Sequence, residues 1–320
     1  MARYLAGRLP SALFVLFAAS VLVFAVLRLI PGDPAVTLAG PDASPEAVDA
    51  VRAELGLDQP ILHQYVAWLG DLVRFDLGRS YVLGVDNASL VRDGLTNTIV
   101  LTLAALLVAV LMALALSIGG VLANRRWLEA VLSGFNTIAV ALPTFVTGTL
   151  LIVLLAVVYR VLPAGGTPPE GFASRPDLAV QYLLMPALCL GLPAGAALTR
   201  FLTESLRTQL EAPYVTTAQA LGISRRRIVL TQALPNALPS AVTVLGVQVG
   251  ALLGGAVIVE AVFAWPGLGL LIESGISGRD YPLVQVLMML SVLVFVVTQL
   301  LTDVANAWLD PRIRLGGAAA

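Results

Sequence analysis

The sequence predicts an all-α membrane protein with six transmembrane helices and both termini in the cytoplasm. Composition points there first: of 320 residues, 58% are hydrophobic and only 12% charged, whereas soluble domains carry roughly 25% charged residues. Apolar runs of about 20 residues, enough to cross a bilayer, recur at about 9–30, 98–123, 130–159, 181–199, 237–262 and 283–309. Arginine is unevenly divided among the connecting segments. The side holding both termini carries Arg3, Arg8, Arg125, Arg126, Arg200, Arg207, Arg225, Arg226, Arg227, Arg312 and Arg314, against eight arginines and most of the carboxylates on the other. Positively charged loops stay on the cytoplasmic side, which fixes the orientation.

The first run follows Arg3 and Arg8, as a signal peptide would. Its apolar stretch is longer than the roughly 7–15 residues of a signal core, and Arg28 followed by PGDP offers no small-residue cleavage site. It is expected to be an anchor, residues 1–30. Residues 31–97 then form an extracytoplasmic helical domain. SPEAVDAVRAELG reads as a short helix with Ser44 as N-cap, Pro45 at its first position, Glu46 facing the positive end and Gly56 closing it. A second helix should follow Asp58 and Pro60, with Ile61, Tyr65, Trp68, Leu69 and Leu72 on one face, resting on the outer leaflet or on the bundle.

Residues 98–309 supply the remaining five spans. The third contains ALPTFVTG, with Pro143 and Gly148, and the fourth contains MPALCLGLPAG, with Pro193. Such residues free backbone groups inside a membrane helix, tolerated where a neighbouring helix or a water-filled cavity satisfies them; ordinary close packing is the simpler expectation. Cys189 reads as a small buried hydrophobe. Polar residues are sparse: Gln248 lies midway along the fifth span, Glu260 near its outer end and Asp303 toward the inner end of the sixth. An ionisable group in lipid marks a functional pathway, but the positions of Glu260 and Asp303 near the interfaces also suit simple hydration. Residues 310–320 form a cytoplasmic tail.

The sequence has no lysine. A P-loop needs one to reach the outer phosphates of a nucleotide, so this chain does not hydrolyse ATP by that route, and lysine Schiff-base chemistry is excluded with it. His63 is the single histidine and sits in the outer segment. It supports neither a metal cluster nor an intramembrane base, so no catalytic residue and no metal site are expected on this chain. A secondary transporter would show an internal repeat and midplane ion ligands, and neither is evident.

The cytoplasmic segment 200–236 contains YVTTAQALGISRRRIVLTQALPNALP. Pro213 can start a short helix in which Tyr214, Ala218 and Leu221 share a face, and Gly222 can close it. Ser224 can cap a second helix with Arg225, Arg226 and Arg227 in its first turn, unfavourably placed against the dipole, ending at Pro235 and Pro239 where the fifth span begins. The spacing resembles the cytoplasmic loop of binding-protein-dependent ABC importer permeases, Glu-Ala-Ala, three residues, Gly, nine residues, Ile, one residue, Leu-Pro. Gly222, Leu234 and Pro235 match; Gln232 takes the Ile position, and of the triplet Thr216, Thr217 and Ala218 only the last agrees.

Further matches run along the chain: RLIPGDPA, LGLDQPILHQYVAWL, DLGRSY, MPALCLGLPAGAALTR, VEAVFAWPGLGLLI and RDYPLVQ. Together they are similar to the B-type permease subunit of oligopeptide, dipeptide and nickel ABC importers. The resemblance implies a type I permease architecture and half of a translocation pathway, for di- or oligopeptides first and for glutathione-like compounds or nickel chelates as alternatives. It implies a C-type permease partner, two cytoplasmic ATPase subunits or one fused ATPase binding ATP and Mg²⁺, and an extracytoplasmic substrate-binding protein. This chain itself would hold no cofactor and meet lipid rather than nucleic acid. In that reading Tyr214, Thr217, Ala218, Leu221, Gly222, Leu234 and Pro235 form the ATPase-coupling loop, and Gln248, Glu260, Trp265, Pro266 and Gly267 are candidates for the pathway or its outer gate.

Topology reporters fused after Asp93 and after Arg227 are expected to lie on opposite sides of the membrane; signals from the same side would refute the six-span arrangement.

Overall fold

The computed structural model describes residues 2–29, 33–40, 42–54, 56–123, 125–172 and 174–309; Arg312, Arg314 and the rest of the expected tail lie outside them. The described chain is almost wholly helical: α1 Ala2–Leu29, α2 Pro34–Ala39, α3 Pro45–Glu54, α4 Ile61–Val73, α5 Asn87–Ala123, α6 Arg126–Ala141, α7 Thr144–Leu151, α8 Pro176–Leu210, α9 Pro213–Ala220, α10 Arg225–Ile228, α11 Leu234–Val262, α12 Leu268–Ser277 and α13 Tyr281–Leu309. Two π-helical stretches interrupt this order, Ile152–Val158 after α7 and Val229–Ala233 between α10 and α11.

Five helical runs are long and apolar enough to cross a membrane: Arg8–Leu29, Asn87–Ala123, Pro176–Leu210, Arg225–Val262 and Tyr281–Thr302. The expected third span is not one helix. It divides into α6 and the α7 segment, bent by 103° at the break, so six spans result only if this pair counts as one. Pro143 explains the break: it disfavours the helical region for the residue before it, and Leu142 takes an extended ψ of 126°.

The described residues fold into two compact units, one drawn from 2–5, 98–265 and 297–309, the other from 6–97 and 266–296. In the first, α5 presents Leu101, Ala105, Ala109 and Ala113, all buried and four residues apart, to Met185, Cys189, Leu190, Ala194 and Leu198 of α8 and to Leu252, Ala256 and Val259 of α11. The backbones meet closely: a Cβ at Gly191 would stand 2.6 Å from the Ala105 carbonyl oxygen, and one at Gly195 would stand 3.0 Å from the α-carbon of Ala109. Small residues permit this approach where helices associate by packing rather than by expelling water. One turn further, Ser117 Oγ donates to the Thr199 carbonyl at 3.0 Å and accepts from Thr203 Oγ1 at 3.0 Å. A second buried group, Val121, Leu202, Leu206, Val229, Ala233 and Ala237, continues the packing toward the arginine-rich end.

In the second unit, Phe24 of α1 meets the rings of Tyr65 and Trp68 of α4 at 5.3 and 5.8 Å, and the Ser20 and Tyr65 hydroxyls lie 2.8 Å apart. Trp68 and Leu72 join Val23, Leu27, Val284 and Met289 in one cluster. Of the apolar face expected on α4, Tyr65, Trp68 and Leu72 thus rest on neighbouring helices, while Ile61 stays 63% exposed. Ser44 Oγ accepts from Ala47 N at 3.3 Å, the expected cap of α3, and Asp33 caps the short α2, which the sequence pattern did not reveal. Arg52 of α3 pairs with Asp33 at 2.5 Å and also with Asp49.

The turn carrying RDYPLVQ is pinned by Asp280. Its carboxylate is buried and accepts from Ser80 Oγ, from Tyr81 N and Val82 N, each at 3.2 Å, and from Leu283 N at 3.4 Å. Hydrogen bonds to a charged acceptor each contribute about 1.5–3 kcal/mol, and buried donors left without one incur the desolvation penalty in full. Asp280→Ala is expected to cost at least about 3 kcal/mol and to open the 79–86 segment to proteolysis, with Asp280→Asn less damaging because one carbonyl acceptor remains. Unfolding in detergent and limited proteolysis check this; wild-type values for Asp280→Ala would remove the pin from the fold.

Candidate functional sites

The arginine-rich insert forms two short helices with a glycine elbow, as its sequence suggests. Pro213 sits in the first turn of α9, and Leu221 follows its last residue. Gly222 has φ of +76°, a left-handed conformation that costs a side-chain-bearing residue energy. Its N–H reaches the Gln219 carbonyl at 2.9 Å, and Ile223 N reaches Ala218 O at 3.1 Å, which satisfies carbonyls that α9 leaves open.

The expected docking face is divided. Ala218 is 4% exposed and packs with Val215 and Ile228, bordered by Leu210, Tyr214 and Ile223. Leu221 is 75% exposed, and Thr217 is exposed beside it. Tyr214 donates its hydroxyl to Gln209 Oε1 at 3.1 Å. The reason is geometric: α9 folds back on α10, so Val215 and Ala218 serve the insert's own small core, and of the expected docking residues only Thr217 and Leu221 lie on the exposed surface, with Thr216, Gln219 and Ala220.

Two further features depart from the expectation. Pro235 and Pro239 do not end the second insert helix; the run from Arg225 continues to Val262. The π-helical turn Val229–Ala233 shifts the hydrogen-bond register, Pro235 then falls in the first turn of α11 where a missing N–H is tolerated, and Pro239 is carried inside it. Leu234 and Pro235 are therefore part of a continuous rod rather than a joint. Nor does Arg225 simply oppose the helix dipole: its guanidinium donates to the Val121 carbonyl at 3.1 Å. Val121 lies in the last turn of α5, where carbonyls lack helical partners and the dipole favours a cation. Nothing in a one-dimensional pattern links residues 225 and 121.

The outer-end candidates fall in different units. In the first, Gln248 is partly buried along α11, and Glu260 is fully buried. Thr98 Oγ1 donates to Glu260 Oε1 at 2.6 Å. Trp265 is fully buried, its ring 5.6 Å from that of Phe172, and its backbone N–H donates to the Glu260 carbonyl at 2.8 Å. The turn between them puts Ala264 at φ +47°, and the loop before α8 closes over it: Gly166 N donates to Phe263 O at 2.8 Å, and a Cβ at Gly165 would stand 2.2 Å from that oxygen. In the second unit, Pro266 is exposed and its carbonyl accepts from Asn97 Nδ2 at 2.8 Å, while Gly267 is buried ahead of α12. Asp303 lies on α13.

Comparison with known proteins identifies this arrangement. Residues 105–315 match the family described as binding-protein-dependent transport system inner membrane component, and residues 1–90 match the N-terminal domain described for the membrane components of such systems. The glutathione transport system permease protein GsiC of Escherichia coli strain K12 is 35% identical over 314 residues, covering 98% of this chain and 99% of the relative. The protein of that name in Shigella dysenteriae serotype 1 gives the same figures, 35% over 314 residues with 98% and 99% covered. Among solved structures, inward-facing conformations of the MetNI methionine ABC transporter share the fold with a TM-score of 0.57 at 20% identity, over 70% of this chain and 97% of that one. An amino acid ABC transporter with histidines reaches 0.51 at 16% identity, over 68% and 94%. The chain therefore belongs to the binding-protein-dependent transport system inner membrane components and is a permease subunit of an ABC importer, a multi-pass protein of the inner membrane.

Proposed function

We propose that this permease imports peptides and peptide-like solutes, di- and oligopeptides together with glutathione-class compounds. The observation that carries this reading is the 35% identity to a glutathione transport permease over 98% of this chain. A partner permease of the C type would supply the other half of the pathway, an extracytoplasmic binding protein would deliver the solute, and ATP with Mg²⁺ would be held by two ATPase subunits or one fused ATPase. The absence of lysine supports that division, because this chain has no residue for a P-loop. Uptake of trialanine and of glutathione into proteoliposomes containing the full complex tests the substrate class; ATP-dependent uptake of neither would overturn it.

In this reading the insert is the coupling element. Leu221 and Thr217 would meet the ATPase groove, Ala218, Val215 and Ile228 would keep α9 rigid against α10, and the Gly222 elbow would fix its angle. Movement would then pass along the unbroken run into α11 and, through the hydrogen bond from Arg225, into α5. A rigid body driven by closure of the ATPases can in this way shift the pathway between its two states. Glu260, held by Thr98 at the end of α11, and the buried Trp265 would belong to the outer gate, with Gln248 deeper in the pathway.

In a Cys189→Ala background, which removes the one native thiol, Leu221→Cys is expected to crosslink to the ATPase efficiently, and Ala218→Cys poorly because that position is covered. The reverse order would show that a different face docks. Gly222→Val should lower transport at least about tenfold while basal ATPase activity of the assembled complex stays near wild type. That ratio corresponds to about 1.4 kcal/mol of lost coupling, within the cost of forcing a β-branched residue into a left-handed conformation. Full transport would deny the elbow a role. Glu260→Gln is expected to change binding-protein-stimulated ATPase activity without impairing assembly, since the amide can still accept from Thr98; wild-type stimulation and flux would remove Glu260 from the gate.

A further inference from the structure

The first unit carries a second feature that the coupling and gate sites do not use, an open cavity of about 590 Å³ between α5, α6 and α8, with Arg200 and Glu204 exposed at its mouth. It opens among Gly120 of α5, Glu129 of α6 and Arg200 to Arg207 of α8, the end that the arginine asymmetry assigns to the cytoplasm. The amphipathic character of α6 sets its polarity. Trp127, Val131, Phe135 and Ile138 are exposed along one face, suited to lipid or a partner helix. Glu129, Ser133, Asn136 and Thr137, at helical spacing on the opposite face, line the cavity. Polar residues within a membrane bundle turn toward its interior or toward water-filled space, where they mark solute paths.

The charges across this cavity are balanced. Glu129 pairs with Arg207 at 3.0 Å, both partly exposed, while Arg200 and Glu204 stand one turn apart on α8 without an ion pair among the described residues. Asn136 lines the cavity with its Oδ1 buried and without a hydrogen-bond partner among the described residues, so that after a small side-chain rotation a bound water or a solute N–H would satisfy it. A solute of one sign would oppose part of this set. One with an ammonium and a carboxylate meets both, its amide N–H groups can reach Asn136, and the volume lies within the roughly 300–1,000 Å³ of small-molecule sites.

We infer that this cavity is a binding station for a zwitterionic, peptide-sized solute, with Arg200 receiving the carboxylate, Glu204 the ammonium, and the Glu129–Arg207 pair fixing α6 against α8 around them. The inference deepens the peptide-import reading and rests on it for the solute, but the test separates the two. In the Cys189→Ala background, Ser133→Cys places a thiol on the cavity wall. The assembled complex in inside-out vesicles is treated with a membrane-impermeant methanethiosulfonate, and modification of this chain is followed by intact mass. Trialanine should slow modification in a saturable manner, reaching roughly tenfold at about ten times its Kd, whereas N-acetyl-trialanine amide, which lacks both terminal charges, should not. Adding Arg200→Gln and Glu204→Gln together should abolish the protection. No protection by trialanine, or equal protection by the blocked peptide, overturns the station even if the complex transports trialanine. Protection by trialanine without ATP-dependent uptake of either trialanine or glutathione would keep the station and overturn the import reading instead.

Discussion

Close backbone packing of α8 with α5 is the constraint on which the first unit depends. Lipid gives helices no hydrophobic reason to associate, so the association must come from dispersion and short polar bridges, and both need the backbones to approach. Ala105, Ala109 and Ala113 on α5 and Gly191 and Gly195 on α8 provide that approach, and the hydroxyls of Ser117 and Thr203 continue it one turn further with hydrogen bonds across the helices. Because α8 is held there, its C-terminal end can carry the arginine-rich insert at a fixed place, and α6 can lean on it with a polar face turned toward the cavity. Neither the insert nor the cavity would have a defined geometry on a loosely packed α8.

The insert is a compact object built from unpromising material. Its apolar residues are too few to form a docking face and a core at once, and the folded chain commits Val215, Ala218 and Ile228 to the core. Arg225, placed where a helix dipole disfavours it, is satisfied by the open carbonyl end of α5. A π-helical turn lets the following run keep its course through Pro235. Each of these solves a local conflict with a tertiary partner. Together they turn a charged loop into a compact insert bonded to two membrane helices, α5 and α11.

Of two carboxyls buried among the described residues, one has an architectural task and the other sits in different surroundings. Asp280 is surrounded by backbone N–H groups and a serine hydroxyl and serves the architecture of its loop. Glu260 meets a threonine hydroxyl at the end of a long helix, beside a turn whose backbone is already strained at Ala264. The residues carrying the first task were visible in RDYPLVQ only as a resemblance, because the donors come from Ser80, Tyr81 and Val82, about two hundred positions away in the chain.

The sequence by itself determined that this chain lives in a membrane, where most of its spans lie and which family it resembles, and it gave an expectation for the side its ends occupy. Those properties depend on local composition, on apolar run length and on arginine counts, each of which one dimension records. Of the outer segment, α3 and α4 were legible for the same reason, through Ser44, Pro45, Gly56 and Pro60, whereas α2 was not, and Gly222 announced its elbow. Tertiary structure decided the rest. It bent the third span sharply at Pro143, where a straight kinked helix was equally compatible with the pattern. It also turned Ala218 inward and Leu221 outward, and brought Glu129, Asn136, Arg200 and Glu204 around one cavity. The physical reason is that helical periodicity says which residues share a face but not what that face meets. The assignment of faces to lipid, to a neighbouring helix or to water is settled only when the helices pack.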